Sequence, residues 1–219
     1  MNERTPSNRA RGGAADPEET KALLLDAALR SLAQHGYAGT TARGIAGAAG
    51  ANPALINYHF GGMRQLLVAA LARSNDARLA RYREATAEVD SIAGLIETWQ
   101  ALHDEDVALG HIGAMVALLG ATSSDPELRD DLAGIFASWQ GFVEEKVAAA
   151  AAGTPLGPFL PTEQAAFVIL ALFVGVELLT GLDGNEERAT ELFRAGGFLA
   201  GLLPTAVTSG MLRGLGGAA

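Results

Sequence analysis

Residues 40–61 read TTARGIAGAAGANPALINYHFG, and the order of caps, glycines and apolar residues in this stretch decides the fold. Thr40-Thr41 offers a hydroxyl N-cap, after which Thr41–Ala49 reads as a short helix. Gly50-Ala51-Asn52 makes a tight turn, Asn52 caps and Pro53 opens a second short helix, and Gly61-Gly62 breaks it just after Phe60. Two short helices joined by a Gly-containing turn satisfy the geometry of a helix-turn-helix, whose second helix can present its N-terminal side chains to base edges in the major groove. Spacing alone is not specific, because helical hairpins recur throughout all-α proteins.

Upstream, Asp16 can cap a first helix, Pro17 suits its first position and Glu19 completes a capping-box-like pair. Leu24, Ala28 and Leu32 recur at four-residue spacing with Leu25 and Leu29 beside them, and Gly36 ends the helix where a left-handed conformation is needed. Downstream, helices are expected over 63–86, 91–107, 110–122, 126–152, 162–182 and 186–203, with little competing strand signal. Ser123-Ser124-Asp125-Pro126, the 153–161 linker and Asp183-Gly184-Asn185 mark the breaks. The expected architecture is all-α: a disordered arm over 1–15, a small three-helix helix-turn-helix domain over 16–61, a larger helical ligand-binding and dimerisation domain over 62–204, and a flexible tail over 205–219.

The overall charge of −9 argues against a general nucleic-acid binder, but the charge is unevenly placed. Residues 1–75 hold eight Lys/Arg against five Asp/Glu, a net of +3, whereas residues 76–219 hold eight against twenty, a net of −12. The halves therefore suit two tasks, the first near phosphates and the second away from them. With no cysteine, the chain has no disulfide, thiolate metal site or Cys nucleophile. Arg4, Arg9 and Arg11 are not followed by an apolar stretch, so no signal peptide is expected and a cytoplasmic location follows. The same three arginines on a flexible arm suit the minor groove, or form an ordinary tail. No P-loop, Ser nucleophile elbow or HExxH motif occurs, and Gly44-x-x-Gly47-x-x-Gly50 follows no strand, so neither an enzyme nor a cofactor is expected.

About 50 residues resemble the TetR family of transcription regulators. Leu24-Leu25-Asp26-Ala27-Ala28-Leu29 with Gly36-Tyr37 is similar to its first helix and turn. Thr40-Thr41-Ala42-Arg43-Gly44-Ile45-Ala46 is similar to its second helix, Ala49-Gly50-Ala51-Asn52 to its turn, and Leu55-Ile56-Asn57-Tyr58-His59-Phe60 to its recognition helix. The resemblance implies that Thr41 and Arg43 contact phosphate or a base edge, and that Asn52, Asn57, Tyr58 and His59 face the groove or flanking phosphates. For Tyr58 and His59 a structural hydrogen bond within the small domain is the alternative. Leu55, Ile56 and Phe60 read as packing residues. Three positions depart from the family pattern: Pro53 stands where a Lys, Arg or small polar residue is common, Met63 where a Lys often lies near phosphate, and Gly44 where helix 2 is usually acidic. Phosphate attraction is then expected from Arg43, Arg64, the amides at Gly62-Met63 and the arm.

One short reading head makes few base contacts, so two half-sites on palindromic double-stranded operator DNA, and hence a homodimer, are expected. Residues 165–182 are apolar nearly all round apart from Glu177; a helix buried on several sides, inside its own domain and against a partner, suits them better than a membrane span. Ile169, Phe173, Val176, Gly197 and Gly201 are the expected contacts of a four-helix interface between two subunits. The regulator reading further implies a pocket for an unidentified small effector among helices 4–8. Trp99, His103, His111, Met115 and Leu119 are candidate lining residues, with Phe136, Trp139, Phe142 and Phe173 from later helices; apolar walls suit an apolar or aromatic ligand. His103-Asp104-Glu105-Asp106 with His111 looks superficially like a metal-ligand set, but a solvated acidic helix end is the expected reading and no metal is expected. The expected function is a dimeric repressor released by its effector; the alternative is a small-molecule binding or protein-interaction protein on the same fold with weakened DNA binding.

Overall fold

The computed structural model describes residues 16–89, 91–152, 157–185 and 187–202; the arm expected over 1–15 and the tail expected over 205–219 lie outside them. Among the described residues every regular element is helical: α1 (Pro17–Gly39), α2 (Ala42–Ala48), α3 (Ala54–Phe60), α4 (Met63–Ala85), α5 (Ile92–Ala108), α6 (His111–Ala121), α7 (Glu127–Ala151), a 3-10 turn (Gly157–Phe159), α8 (Thr162–Asp183) and α9 (Glu187–Leu202).

Local chemistry sets the boundaries. The Asp16 carboxylate accepts from the Glu18 amide at 3.1 Å, Pro17 has no N–H that needs an acceptor, and Glu18 and Glu19 complement the positive end of the helix dipole. Gly36, at φ 66°, interrupts α1 where the sequence predicts its end, and one further turn carries the chain to Thr40. Thr41 caps α2 by accepting from the Gly44 amide at 3.1 Å. Gly50, at φ 64°, makes the turn out of α2, and the Ala51 amide closes it on the Ala46 carbonyl at 2.8 Å.

One apolar cluster runs through the molecule. Leu24, Ala28 and Leu32 of α1 meet Ile45 of α2, Ile56 of α3 and Leu66, Leu67 and Leu71 of α4; the same cluster continues into Ile112, Met115 and Leu118 of α6 and Leu128 and Leu132 of α7. The line expected at residues 61 and 62 is therefore not a break in packing. Helix α1 packs chiefly on α6 and α4, α7 on α8, and α5 on α9. A second cluster joins Leu79 and Tyr82 of α4 to Phe142 and Val143 of α7 and Ala166 of α8.

Helix α8 departs from its expected burial within the subunit. It is long and apolar enough to cross a membrane by length and composition, yet only 11% of the residues in that apolar window are fully buried by the rest of the chain. Its inner side is the smaller one, with Ala166 and Glu177 buried.

Candidate nucleic-acid interface

Helix α3 is held by one side and leaves the other in water. Ile56 is buried in the shared core, Leu55 and Phe60 pack against it, and Tyr58 is 79% exposed. Asn57 is exposed beside it, while His59 is half-buried with its ring edge-on to Tyr58 at 5.0 Å. Tyr58 therefore offers an amphipathic ring, apolar in its body and polar at its hydroxyl, from the exposed side of this seven-residue helix. The Asn52 side chain is spent locally: its Oδ1 accepts from the Ala54 amide at 2.9 Å, so the expected cap forms and Asn52 offers only its amide group outward. Pro53 sits at the start of α3 with helical φ of −53°, in keeping with its expected role of opening the helix.

Around α3, the predicted phosphate contacts divide. Thr41 and Arg43 are exposed at the start of α2, and Arg43 makes no ion pair among the described residues. Gly62 and Met63 begin α4, where Gly62 is the N-cap without a side-chain hydrogen bond, so free amides face outward there. Arg64 differs. Its guanidinium is bonded to Glu127 and lies 3.9 Å from both Asp125 and Asp131 on the α6–α7 turn and the start of α7. That removes Arg64 from the expected phosphate set in this conformation, because three carboxylates already surround it. Asp125 also accepts from the Tyr37 hydroxyl at 3.1 Å; burial first, then that bond and charge, raises the phenol above its ordinary value.

A shallow groove of about 220 Å³ lies between α1 and α2, lined by Arg30, Gln34, His35, Thr41, Gly44 and Ala48 among others. The missing side chain at Gly44, a departure noted in the sequence, helps open it; a Cβ there would lie 3.1 Å from the Thr41 hydroxyl oxygen.

The predicted effector-site residues sit in the body but pack on one another. Phe142 is fully buried, with Trp99 at 6.0 Å, Trp139 at 6.0 Å and Tyr82 at 6.4 Å between ring centres. Met115 is buried, and Leu119, Phe136 and Phe173 pack half-buried on the first cluster. Thus Phe142 and Met115 act as core in this conformation. Trp99 is the exception in chemistry: its indole N–H is buried without a hydrogen-bond partner, an unmet donor next to the aromatic cluster.

The acidic end of α5 is only partly solvated: Asp104 and Glu105 are exposed as expected, but Asp106 is not. Asp106 is fully buried and accepts from Arg78 at 2.7 Å, from the Tyr82 hydroxyl at 3.1 Å and from Arg81, while His111 Nδ1 lies 3.4 Å away. Burial, and after it the Asp106 charge, pushes the Tyr82 phenol strongly upward. His103, also buried, meets Glu177 of α8 at 2.7 Å and lies edge-on to Phe173. Burial opposes the imidazolium, but the Glu177 bond and charge, aided by Asp104, outweigh it and raise the His103 pKa. Two cations on α4 and one helix turn between His103 and Asp106 turn the face inward; among the described residues no cluster suits a metal ion. Sequence reasoning missed this network, whose readable signal is Arg78 and Tyr82, four residues apart on the buried side of α4, where Ser74 and Asn75 are polar as well.

On the outer side, α8 presents Val168, Leu172, Leu179 and Leu182 at helical spacing, all exposed, with Gly175 open among them. Of the expected dimer residues, Ile169 lies at the margin of this face, Val176 is half-buried and Phe173 turns inward to His103, so the outward stripe runs one position before the predicted one. Gly197 of α9 has open space where a Cβ would be, and Gly201 lies in the last turn of α9.

A reading head of three short-range helices, carried on α4 into a larger helical body, places the chain in the class of two-part helix-turn-helix regulators. Residues 24–70 match the family described as bacterial regulatory proteins, tetR family, and residues 89–195 match the tetracyclin repressor-like C-terminal domain. The chain belongs to the TetR family. It is 30% identical over 113 residues to the HTH-type transcriptional repressor AcnR of Corynebacterium efficiens, a match covering 52% of this chain and 56% of that protein. The chain thus spans about half the length of the curated relatives it matches. A Rhodococcus sp. structure described as a TetR-family transcriptional regulator superposes with a TM-score of 0.71 at 24% identity, covering 83% of this chain and 98% of the other. The transcriptional regulator FadR of Bacillus subtilis, in complex with stearoyl-CoA, superposes with a TM-score of 0.68 at 17% identity, covering 82% and 96%.

Proposed function

We propose that this chain is a DNA-binding transcription regulator: a homodimer that reads a palindromic operator with α3 and releases it when a small apolar or aromatic effector enters the body. The carrying observation is α3 itself, pinned by Ile56 and presenting Asn57 and Tyr58 to solvent. Base reading falls to Asn57, Tyr58 and His59, with the free amide of Asn52. Phosphate contact falls to Thr41, Arg43 and the amides at Gly62 and Met63. The match to a repressor supports the direction of control. The outward apolar stripe of α8, with Gly197 and Gly201 of α9, supports a four-helix interface with a second copy, since monomers rarely leave so continuous an apolar face in water. The stearoyl-CoA complex of the Bacillus subtilis neighbour supports an apolar effector among α4–α8, beside Trp99, Trp139, Leu119, Phe136 and Phe173. On this reading the protein works in the cytoplasm, without a membrane anchor, cofactor or catalytic step.

Fluorescence anisotropy with duplexes from the chain's own upstream region tests it. Saturable, sequence-selective binding at physiological salt is the expected result; sequence-blind binding that vanishes with salt overturns it. Two observations favour a second reading, a small-molecule or protein-interaction role with weakened DNA binding: α3 carries no Lys or Arg, and Arg64 is engaged by carboxylates. Sequence-blind binding in that assay would select it.

A further inference from the structure

The head touches the body in two chemically different ways. The first is apolar: Ala33 of α1 faces Gly110 and Gly113 at the start of α6, so closely that a Cβ on Gly110 would stand 2.9 Å from that of Ala33. That close approach adds to the shared apolar core, in which Leu24 and Leu32 of α1 meet Ile112, Met115 and Leu118 of α6. The second is polar and directional. Asp125, in the α6–α7 turn, accepts from the Tyr37 hydroxyl with one oxygen at 3.1 Å and lies 3.9 Å from Arg64 with the other. Tyr37 lies immediately after the Gly36 break in α1, and Arg64 is the second residue of α4, four residues beyond the end of α3. One body carboxylate therefore faces both the entry to the helix-turn-helix and its exit.

The placement of Arg64 is unfavourable by itself, since a cation in the first turn of α4 opposes the helix dipole. Glu127 and Asp131 lie in the first turn or so of α7, where acidic groups are favoured, and they share the guanidinium with Asp125. The polar contact thus joins two helix starts that electrostatics would otherwise leave independent. Arg64 and Asp125 are each about one-quarter exposed, so their attraction is only partly screened.

We infer that Asp125 is a positioning residue for DNA reading: by holding Tyr37 and Arg64 together it fixes the angle at which the head leaves the body, and so the separation of the two recognition helices in the dimer. This rests on the DNA-reading function proposed above. A dimer with a fixed angle discriminates half-site spacing; one with a loose angle does not.

Two variants and two readouts test it. Asp125→Ala removes the acceptor, and Tyr37→Phe removes only the donor hydroxyl while keeping the ring. The first readout needs no DNA: the chain has no native cysteine, so Ala48→Cys in α2 and Ala137→Cys in α7, both exposed, can carry spin labels. With the labelled chain diluted into excess unlabelled chain, the head-to-body distance distribution is expected to be narrow in the parent and broader or shifted in both variants. An unchanged distribution overturns the positioning role. The second readout uses a duplex selected by the parent protein from a random pool, with half-site spacing then changed by one base pair either way. The preference for the parental spacing is expected to fall about tenfold in the variants, while binding to unrelated duplex stays the same. Equal loss at every spacing, tracking a lowered Tm, overturns it as a purely structural effect. Failure of the parent to select any duplex defeats the DNA-reading function instead, and the distance measurement still decides the positioning.

Discussion

The imidazole of His103 on α5 and the carboxylate of Glu177 on α8 meet at 2.7 Å, both almost wholly buried. This pair ties the interior of the subunit to the helix whose outer side is apolar and exposed. Because the folded pKa of His103 lies above its ordinary value of 6.5, its contribution is fully present below that pH and is lost as pH rises through the folded value. Thermal unfolding of the parent should therefore show a fall in Tm from pH 6.5 upward that Glu177→Gln lacks. Parallel Tm–pH curves for the two proteins would contradict the assignment.

Asp106 offers a larger effect without a pH argument. Arg78, almost as buried, takes its main ionic partner from Asp106 and stacks over Trp139 at 5.1 Å. Asp106→Ala leaves that guanidinium uncompensated, and losing one partner of a buried pair costs about 3–5 kcal/mol. Urea denaturation should show a lower midpoint with an unchanged slope; a loss under about 1 kcal/mol would mean that Arg81 and water replace the pairing.

Helix α8 predicts the assembly. Leu172, 53% exposed in the middle of the outward stripe, is the position at which a charge should separate the subunits. For Leu172→Glu, sedimentation should report monomer at concentrations where the parent is a dimer, with helical circular dichroism retained. An unaltered dimer would place the interface elsewhere.

The reading head predicts two separable losses. Tyr58→Ala, at an exposed position, should leave stability within about 0.5 kcal/mol while reducing selective binding by about 1–3 kcal/mol, the range for a good base contact. Arg43→Gln should weaken selective and unselective binding alike and lower the slope of log K against log salt by about one. If Arg43→Gln leaves the slope intact, the phosphate contact lies with other groups.

Much of the fold could be read along the chain because the deciding interactions are local. Asp16, Thr41 and the glycines at 36, 50 and 61 act within three or four residues of themselves, and the helix ends fall close to where their chemistry predicts. The Asn52 cap was legible for the same reason, although its cost to base reading was not. Long-range polar pairs were hidden: Tyr37 and Asp125 are 88 residues apart, and His103 and Glu177 are 74 apart. No periodicity in one sequence says which carboxylate a given Tyr, Arg or His will find. Which side of α8 is exposed was not legible because a helix apolar nearly all round contains no polar face to mark which side is out.

The apolar cluster that passes unbroken from Leu24 and Ile56 into Leu118 and Leu128 sets a limit on modular exchange. A reading head cut away after α3 would lose Leu66, Leu67 and Leu71 and every contact with α6, leaving Leu24, Ala28 and Leu32 covered only by α2 and α3. Such a fragment has too little interior to fold by itself. A hybrid regulator with a borrowed operator specificity would therefore have to exchange the exposed face of α3 in place rather than transplant the head as a cassette, and unfolding should carry head and body together in a single transition.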